Sequence, residues 1–107
     1  MKLFWFSGES RLREWIFART EGRASELYAE VLIMSGAPAT QYWGREVTGE
    51  AVAEAHREHF DAAIAFNQEG FGEFDPGTGW TIISLAERIK KLSKWADGGL
   101  GFARDRR

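Results

Sequence analysis

Apolar residues open the chain in two short runs, Leu3–Phe6 and Leu12–Ala18, with the polar segment Ser7–Ser10 between them. Both runs are rich in aromatic and β-branched side chains, which favours two strands joined by a turn. A helix over the second run is the alternative, because its apolar positions also suit a helical face. We prefer the hairpin, since the three bulky residues from Trp15 onwards are a poor helical run and a good buried strand.

Helical spacing begins after Thr20, which is in the position of an N-cap. The apolar residues of this period are Ala24, Leu27, Tyr28, Val31 and Leu32. Gly36 predicts the end of the helix, and Pro38 prevents its continuation. The next segment, Gln41–Val47, is predicted to form a short strand that Gly44 interrupts.

The middle of the chain is predicted to hold a longer helix, which begins after an N-cap at Thr48 and ends near Gln68 with Gly70 as its stop. The segment Gly70–Gly79 is interpreted as a glycine-rich loop, because it contains an Asp-Pro-Gly turn sequence. Its glycine spacing does not match that of a phosphate-binding loop, and its acidic residues would repel a phosphate.

The last predicted elements are a brief strand, Trp80–Ile83, and a helix that ends near Trp95. Ser84 and Glu87 have the spacing of a capping box at the start of that helix. A pair of glycines predicts its end, and residues 100–107 are expected to form a basic, frayed tail.

The predicted order β-β-α-β-α-β-α over residues 1–107 indicates a small α+β domain, with its helices on one face of a mostly antiparallel sheet. The chain has no cysteine, which excludes disulfide frameworks and thiolate metal sites. Its first apolar run is too short for a signal peptide, and no run approaches the length of a membrane span. We therefore expect a soluble, cytoplasmic protein without a membrane partner.

Charge is sorted along the chain, although the net charge is only −2. Residues 1–45 carry +1, residues 46–87 carry −8 and residues 88–107 carry +5. Such segregation concerns partners and association rates and says nothing about the fold. It provides one acidic and one basic candidate interface.

The acidic candidate lies on the predicted middle helix, where like charges recur at three- or four-residue spacing along one ridge. The residues of this ridge are Glu50, Glu54, Glu58 and Asp61, and its extension consists of Glu69, Glu73 and Asp75. A row of carboxylates resembles a row of phosphates and suits the basic groove of a nucleic-acid-handling protein. A solvated helix face is the alternative explanation.

The basic candidate is the last helix with the tail that follows it. Its helical residues are Arg88, Lys90, Lys91 and Lys94, and the tail adds Arg104, Arg106 and Arg107. They suit nucleic-acid phosphates, although basic residues near the end of a helix also simply stabilise the helix dipole.

Two histidines three residues apart, His56 and His59, are the candidates for metal binding or acid–base catalysis. On the predicted helix they share the apolar side while the carboxylates lie opposite, so that this helix cannot complete a site. We interpret both as residues at the edge of the core. The serines lack a nucleophile-elbow sequence. We expect no enzymatic activity, no cofactor and no metal.

The leading hypothesis is a non-catalytic protein-binding module that docks on a basic protein surface through the acidic region. A phage-type inhibitor of a nucleic-acid-handling or defence complex, such as an anti-CRISPR, fits this description. The alternatives are a nucleic-acid or ribonucleoprotein-binding module that uses the basic segment, and a homo-oligomeric structural protein. If the acids are not used, exposed aromatic residues are the next candidates, namely Trp5, Trp43, Trp80 and Trp95.

Overall fold

Five strands form one sheet in the computed structural model, which describes residues 1–10, 12–37 and 41–95, with side chains to Ser93. The strands are β1 (Lys2–Gly8), β2 (Glu14–Ala18), β3 (Tyr42–Val47), β4 (Gly70–Asp75) and β5 (Gly79–Ile83). The helices are α1 (Glu21–Met34), α2 (Arg57–Phe66) and α3 (Leu85–Trp95). The α+β class and the predicted succession of elements are confirmed, with one additional strand, β4, before β5. All strand pairs are antiparallel, in the order β3-β1-β2-β4-β5.

The two central strands β1 and β2 form the predicted hairpin and carry apolar side chains on both faces. Phe4 pairs with Ile16, and at the next position Trp5 pairs with Trp15. Because side chains alternate along a strand, these two pairs point to opposite faces of the sheet. A sheet with apolar residues on both sides must be covered on both sides.

Helices therefore cover both faces, and the expectation that they all lie on one face was wrong for α2. On the first side, which we call the closed face, α1 and α3 pack over a core of Phe4, Phe6, Ile16, Ala18, Ala24, Leu27, Tyr28, Val31, Leu32, Phe71, Ile83 and Leu92. On the second side, which we call the groove face, α2 packs over a smaller core of Leu3, Phe17, Val47, Phe60 and Ala63.

The predicted caps of α1 and α3 are confirmed. The Thr20 side-chain oxygen accepts a hydrogen bond from the backbone N–H of Arg23 at 3.1 Å, and Gly36 takes a positive φ of 79° just beyond α1. Ser84 and Glu87 cap each other, because each backbone N–H donates to the other's side chain, at 3.0 and 3.1 Å. These caps satisfy N–H groups that have no partner inside the helix.

The predicted middle helix is much shorter than expected. Residues 49–56, which we call the crossing segment, contain two single 3-10 turns, Gly49–Ala51 and Glu54–His56, separated by extended backbone at Val52. The segment leads from β3, at one edge of the sheet, to α2, which contacts β5 at the other edge. A continuous helix is ruled out there, and α2 ends at Phe66 with Asn67 in the left-handed conformation.

The interpretation of residues 70–79 as a loop was also wrong. Most of this segment is β4, and only residues 76–78 form the turn into β5, where the Asp75 carboxylate accepts hydrogen bonds from two backbone N–H groups. Gly72 lies inside β4, and a larger residue does not fit there because its Cβ would stand 2.7 Å from the Phe17 ring. Gly44 does not interrupt β3, and a Cβ at Gly44 would stand 2.5 Å from the Phe6 ring.

Residues 96–107, which include the predicted basic tail, lie outside the described part of the chain. Among the described helices, none is long and apolar enough to cross a membrane.

Candidate functional site

Aromatic side chains are concentrated on the groove face, on strands that α2 leaves partly uncovered. Strand pairing places Trp5 opposite Trp15 and Trp80 opposite Phe74. We call these four residues the aromatic row. Each of them is only half-buried. Trp43 lies on the same face at the β3 edge and is 62% exposed.

The rings of the aromatic row contact one another across four strands. Ring centroids are 4.3 Å apart for Trp5 and Trp15, and 5.7 Å apart for Trp15 and Trp80. Phe74 lies 5.0 Å from Trp80 and 5.1 Å from the ring of His56. Contacts at these distances stabilise the rings in a fixed arrangement, so that the row presents a stable surface.

A groove of about 400 Å³ lies between the aromatic row and the crossing segment. It is lined by Leu3, Trp15, Val47, Ala51, Val52, His56, Phe74 and Trp80. The lining is apolar apart from the imidazole of His56, whose buried Nδ1 atom has no hydrogen-bond partner in the described part of the chain. A mostly apolar concavity with few polar groups is the usual form of a binding site.

Four of the predicted acidic site residues lie beside this groove or on the helix that follows it. We call Glu50, Glu54, Glu58 and Asp61 the acidic quartet. All four are exposed, and none forms an ion pair with any residue that the structure describes. They do not form the predicted single ridge, because Glu50 and Glu54 are in the 3-10 turns and only Glu58 and Asp61 are on α2.

The other three predicted acids are used inside the molecule. Glu69 forms a two-bond ion pair with Arg23, at 3.0 and 3.1 Å. Glu73 accepts two hydrogen bonds from the Lys91 ammonium, at 3.0 and 3.1 Å. The Asp75 carboxylate binds the backbone of its own turn. Of the seven predicted acids, those with no ion-pair partner among the described residues are therefore the four at residues 50–61.

The predicted basic site does not present its charges together to solvent. Arg88 is largely buried and donates a hydrogen bond to the Glu14 carboxylate at 2.9 Å. Lys91 pairs with Glu73, and Lys90 is exposed. The Lys94 side chain lies outside the described part of the chain. Two of the four predicted cations thus have carboxylate partners.

Glu14 is the ionisable residue that sequence reasoning missed. Its side chain is 3% exposed and faces the closed-face core, between α3 and the sheet. Burial raises the pKa of the Glu14 carboxyl from 4.5 to about 7, and the attraction of Arg88 opposes that rise. The signal was present in the sequence, because Glu14 has the same strand parity as Ile16 and Ala18 and must point inward with them.

The two histidines lie where the apolar interpretation placed them, at the edge of the groove-face core. His56 and His59 are half-buried, with their rings 5.1 and 6.2 Å from Phe74. Across the described residues, no cluster of three or more histidine, aspartate and glutamate side chains has the geometry to hold a metal ion.

Comparison of the chain with protein-family models, with curated proteins and with solved structures finds no match.

Proposed function

We propose that this protein is a non-catalytic protein-binding module that docks on a basic protein surface with its groove face. The observation that carries the proposal is the aromatic groove together with the acidic quartet of the crossing segment and α2, which has no ion-pair partner among the described residues. Protein interfaces commonly combine aromatic anchors in a well-packed centre with polar residues around it.

The aromatic row supplies the apolar part of the interaction. Its rings are half-buried in the free protein and already fixed by their mutual contacts. A partner that covers them removes the remaining apolar surface from water, and little side-chain entropy is lost because the rings do not need to be ordered.

The acidic quartet supplies the selection for a basic partner. Exposed charges contribute mostly to the rate and specificity of association, because water and salt screen them in the free protein. The same carboxylates disfavour a nucleic acid at the groove, since they repel phosphates. That the partner belongs to a nucleic-acid-handling or defence complex stays a prediction, and so does the inhibitory role.

The test begins with a partner retrieved from a lysate of the organism that encodes the protein. The quartet is neutralised to Gln and Asn, and association and dissociation rates are measured at several salt concentrations. We expect association to slow by roughly tenfold, an effect that raised salt reproduces in the wild type. The matched control neutralises four exposed acids elsewhere, namely Glu9, Glu21, Glu30 and Glu46, and should change the rate less than about twofold.

Two outcomes would contradict the proposal. One is a partner whose affinity depends neither on the quartet nor on salt. The other is a partner whose affinity falls equally in the control, because that result assigns the effect to net charge alone and removes the role of the groove face.

A further inference from the structure

We propose that the outer edge of β3 pairs with the same edge of a second copy of this chain, so that two sheets join into one. This inference goes beyond the proposed function and does not depend on the partner of the groove face. The observations behind it are the backbone groups that β3 leaves unpaired and the side chains beside them.

The strand order places β3 at one edge of the sheet and β5 at the other. The β5 edge is partly covered, because α2 packs beside it and the Gln68 side-chain amide donates a hydrogen bond to the Ile82 carbonyl at 3.4 Å. The backbone of β3 hydrogen-bonds with β1 and, among the described residues, with no other element. It also lacks a proline and a bulge, which commonly protect edge strands, since its pairing with β1 is unbroken from Tyr42 to Val47.

One hydrogen bond shows which backbone groups of β3 point away from β1. The N–H of Glu9 donates to the carbonyl of Gln41 at 3.1 Å, one step beyond the pair of Gly8 with Tyr42. Antiparallel pairs alternate between hydrogen-bonded and non-hydrogen-bonded, so every second residue counted from Gln41 points its N–H and C=O to β1. The residues between them point these groups outward, namely Tyr42, Gly44 and Glu46.

The outward groups select one register for a pair of identical strands. Two antiparallel copies related by a two-fold axis are self-complementary about a single position. If that position is Gly44, then Tyr42 of each copy is opposite Glu46 of the other, and every outward N–H and C=O has a partner. A shift by one residue in either direction leaves Tyr42 or Glu46 opposite no residue of β3. One of these shifts also sets the two Arg45 side chains against each other, which is destabilising.

The side chains complement each other in the register centred on Gly44. Trp43 of each copy is opposite Arg45 of the other in a non-hydrogen-bonded pair, where side chains are closest. Trp43 is 62% exposed, Arg45 is exposed, and neither has a ring contact or an ion pair with another described residue. A guanidinium over an indole is a favourable contact, and the two-fold axis forms it twice. This self-complementarity favours a second copy over an unrelated strand.

The first experiment measures the dimer by sedimentation equilibrium, from low micromolar to millimolar concentration. Glu46→Pro removes an outward N–H and leaves the hydrogen bonds to β1 intact, and proline is tolerated at such an edge position. Glu46→Ala loses the same carboxylate, keeps the N–H and is the matched control. We expect a reversible wild-type dimer that Glu46→Pro weakens by about tenfold or more, because each copy loses an intermolecular hydrogen bond, and that Glu46→Ala weakens by less than about threefold. Thermal unfolding curves verify that both variants are folded.

A second experiment tests the contact of Trp43 with Arg45. Arg45→Glu replaces the cation with a carboxylate that faces the indole of the other copy. We expect it to weaken the dimer by about fivefold or more. Arg19→Glu, at an exposed position outside β3, makes the same change in net charge and should leave the dimer nearly unchanged.

A third experiment tests the register, because the chain has no cysteine and introduced cysteines are therefore unique. Oxidation of a mixture of Trp43→Cys and Arg45→Cys should give a mixed disulfide dimer, since the Cα atoms of such a pair are about 4.5 Å apart. Each variant alone should cross-link little, because its two cysteines are then diagonal neighbours at roughly 7–8 Å. Mass spectrometry identifies the products.

Three results would overturn the inference: a monomer at every concentration, a dimer that Glu46→Pro and Glu46→Ala weaken equally, and cross-linking of Arg45→Cys with itself as readily as in the mixture. A wild-type monomer whose retrieved partner is released by Glu46→Pro, while Glu46→Ala still binds it, would assign the edge to a strand of another protein and would also overturn the second copy as its occupant.

Discussion

On the closed face of the sheet, α1 and α3 bury a large apolar core together with the ion pair of Glu14 and Arg88. On the groove face, α2 covers a smaller core and leaves the aromatic row half-buried. The same strands form both faces, so the two faces differ in burial because different helices pack on them. Two helices cover one side, whereas the other side has one helix of ten residues and an irregular segment.

The acids that lie between α3 and the sheet differ in their pairing from the acids of the quartet. The buried carboxylate of the closed face has its cation within the fold, and the half-buried Glu73 nearby is paired with Lys91. On the groove face, the acidic quartet has no ion-pair partner among the described residues. The ion pairs of Glu14 and Glu73 are part of the fold, whereas the carboxylates of the acidic quartet are available to a second molecule. The following predictions test this comparison.

The largest effect is expected from Arg88→Met, which leaves the buried Glu14 carboxylate without its cation. At pH 8, urea unfolding should show a loss of roughly 3 kcal/mol, because an unpaired buried charge keeps its full desolvation penalty. Lys90→Met, at an exposed position of the same helix, is the control and should change little. Adding Glu14→Leu to Arg88→Met should restore much of the loss. Equal losses in Arg88→Met and Lys90→Met would show that the pair has no structural role.

A pH dependence of similar size is expected from Glu14 itself. Its folded pKa of about 7 lies above the ordinary 4.5, so that the native state holds this proton more tightly than the unfolded state does. The contribution is complete below pH 4.5 and is lost as the pH rises through 7, by roughly 3 kcal/mol in total. Urea unfolding of wild type and Glu14→Gln at pH 5 and pH 8 measures it. The variant should lack that difference, and parallel pH profiles would contradict the assignment.

An intermediate effect is expected at the groove face from Gly72→Ala. A Cβ at this position would stand 2.7 Å from the Phe17 ring and 3.0 Å from the Trp80 ring. We expect a loss of about 2 kcal/mol together with a shift of the Trp80 indole signal, because the ring must move away from the strand. Gly22→Ala in α1 is the control, since nothing lies within 4 Å of its Cβ. A neutral Gly72→Ala would mean that the floor of the groove is not tightly packed.

The smallest effect on stability is expected from neutralising the acidic quartet. Because the four carboxylates form no ion pairs with the described residues, the four substitutions together should change the free energy of unfolding by less than about 0.5 kcal/mol. Repulsion along a single helix would make the neutralised variant more stable, but Glu50 and Glu54 lie in the 3-10 turns of the crossing segment and do not stack on α2 with Glu58 and Asp61. Glu58 also lies in the first turn of α2, where a negative charge is favourable. A loss well above this value in urea unfolding would reveal internal partners for the quartet.

Local signals in the sequence were sufficient to predict the elements that begin or end at a cap or a turn formed by neighbouring residues. The hairpin of β1 and β2, the cap of α1 at Thr20 and the capping box at Ser84 all depend on residues close in sequence. The prediction of a helix over the crossing segment was wrong because the spacing of its apolar and acidic residues matches that of a helix. Its conformation is instead set by the need to bridge two sheet edges. The strand β4 was missed because its glycines make room for rings from other elements.

The sequence by itself determined the α+β class and the order of the elements other than β4. It also determined the concentration of acids at residues 46–87 and the presence of unusually many aromatic residues. These properties depend on composition and on contacts within a few residues. Only the tertiary structure decided that α2 lies on the opposite face, that Arg88 points to Glu14 and that rings from separate strands line one groove with acids beside it. Those relations join residues that are distant in the chain, and strand pairing and helix placement bring them together.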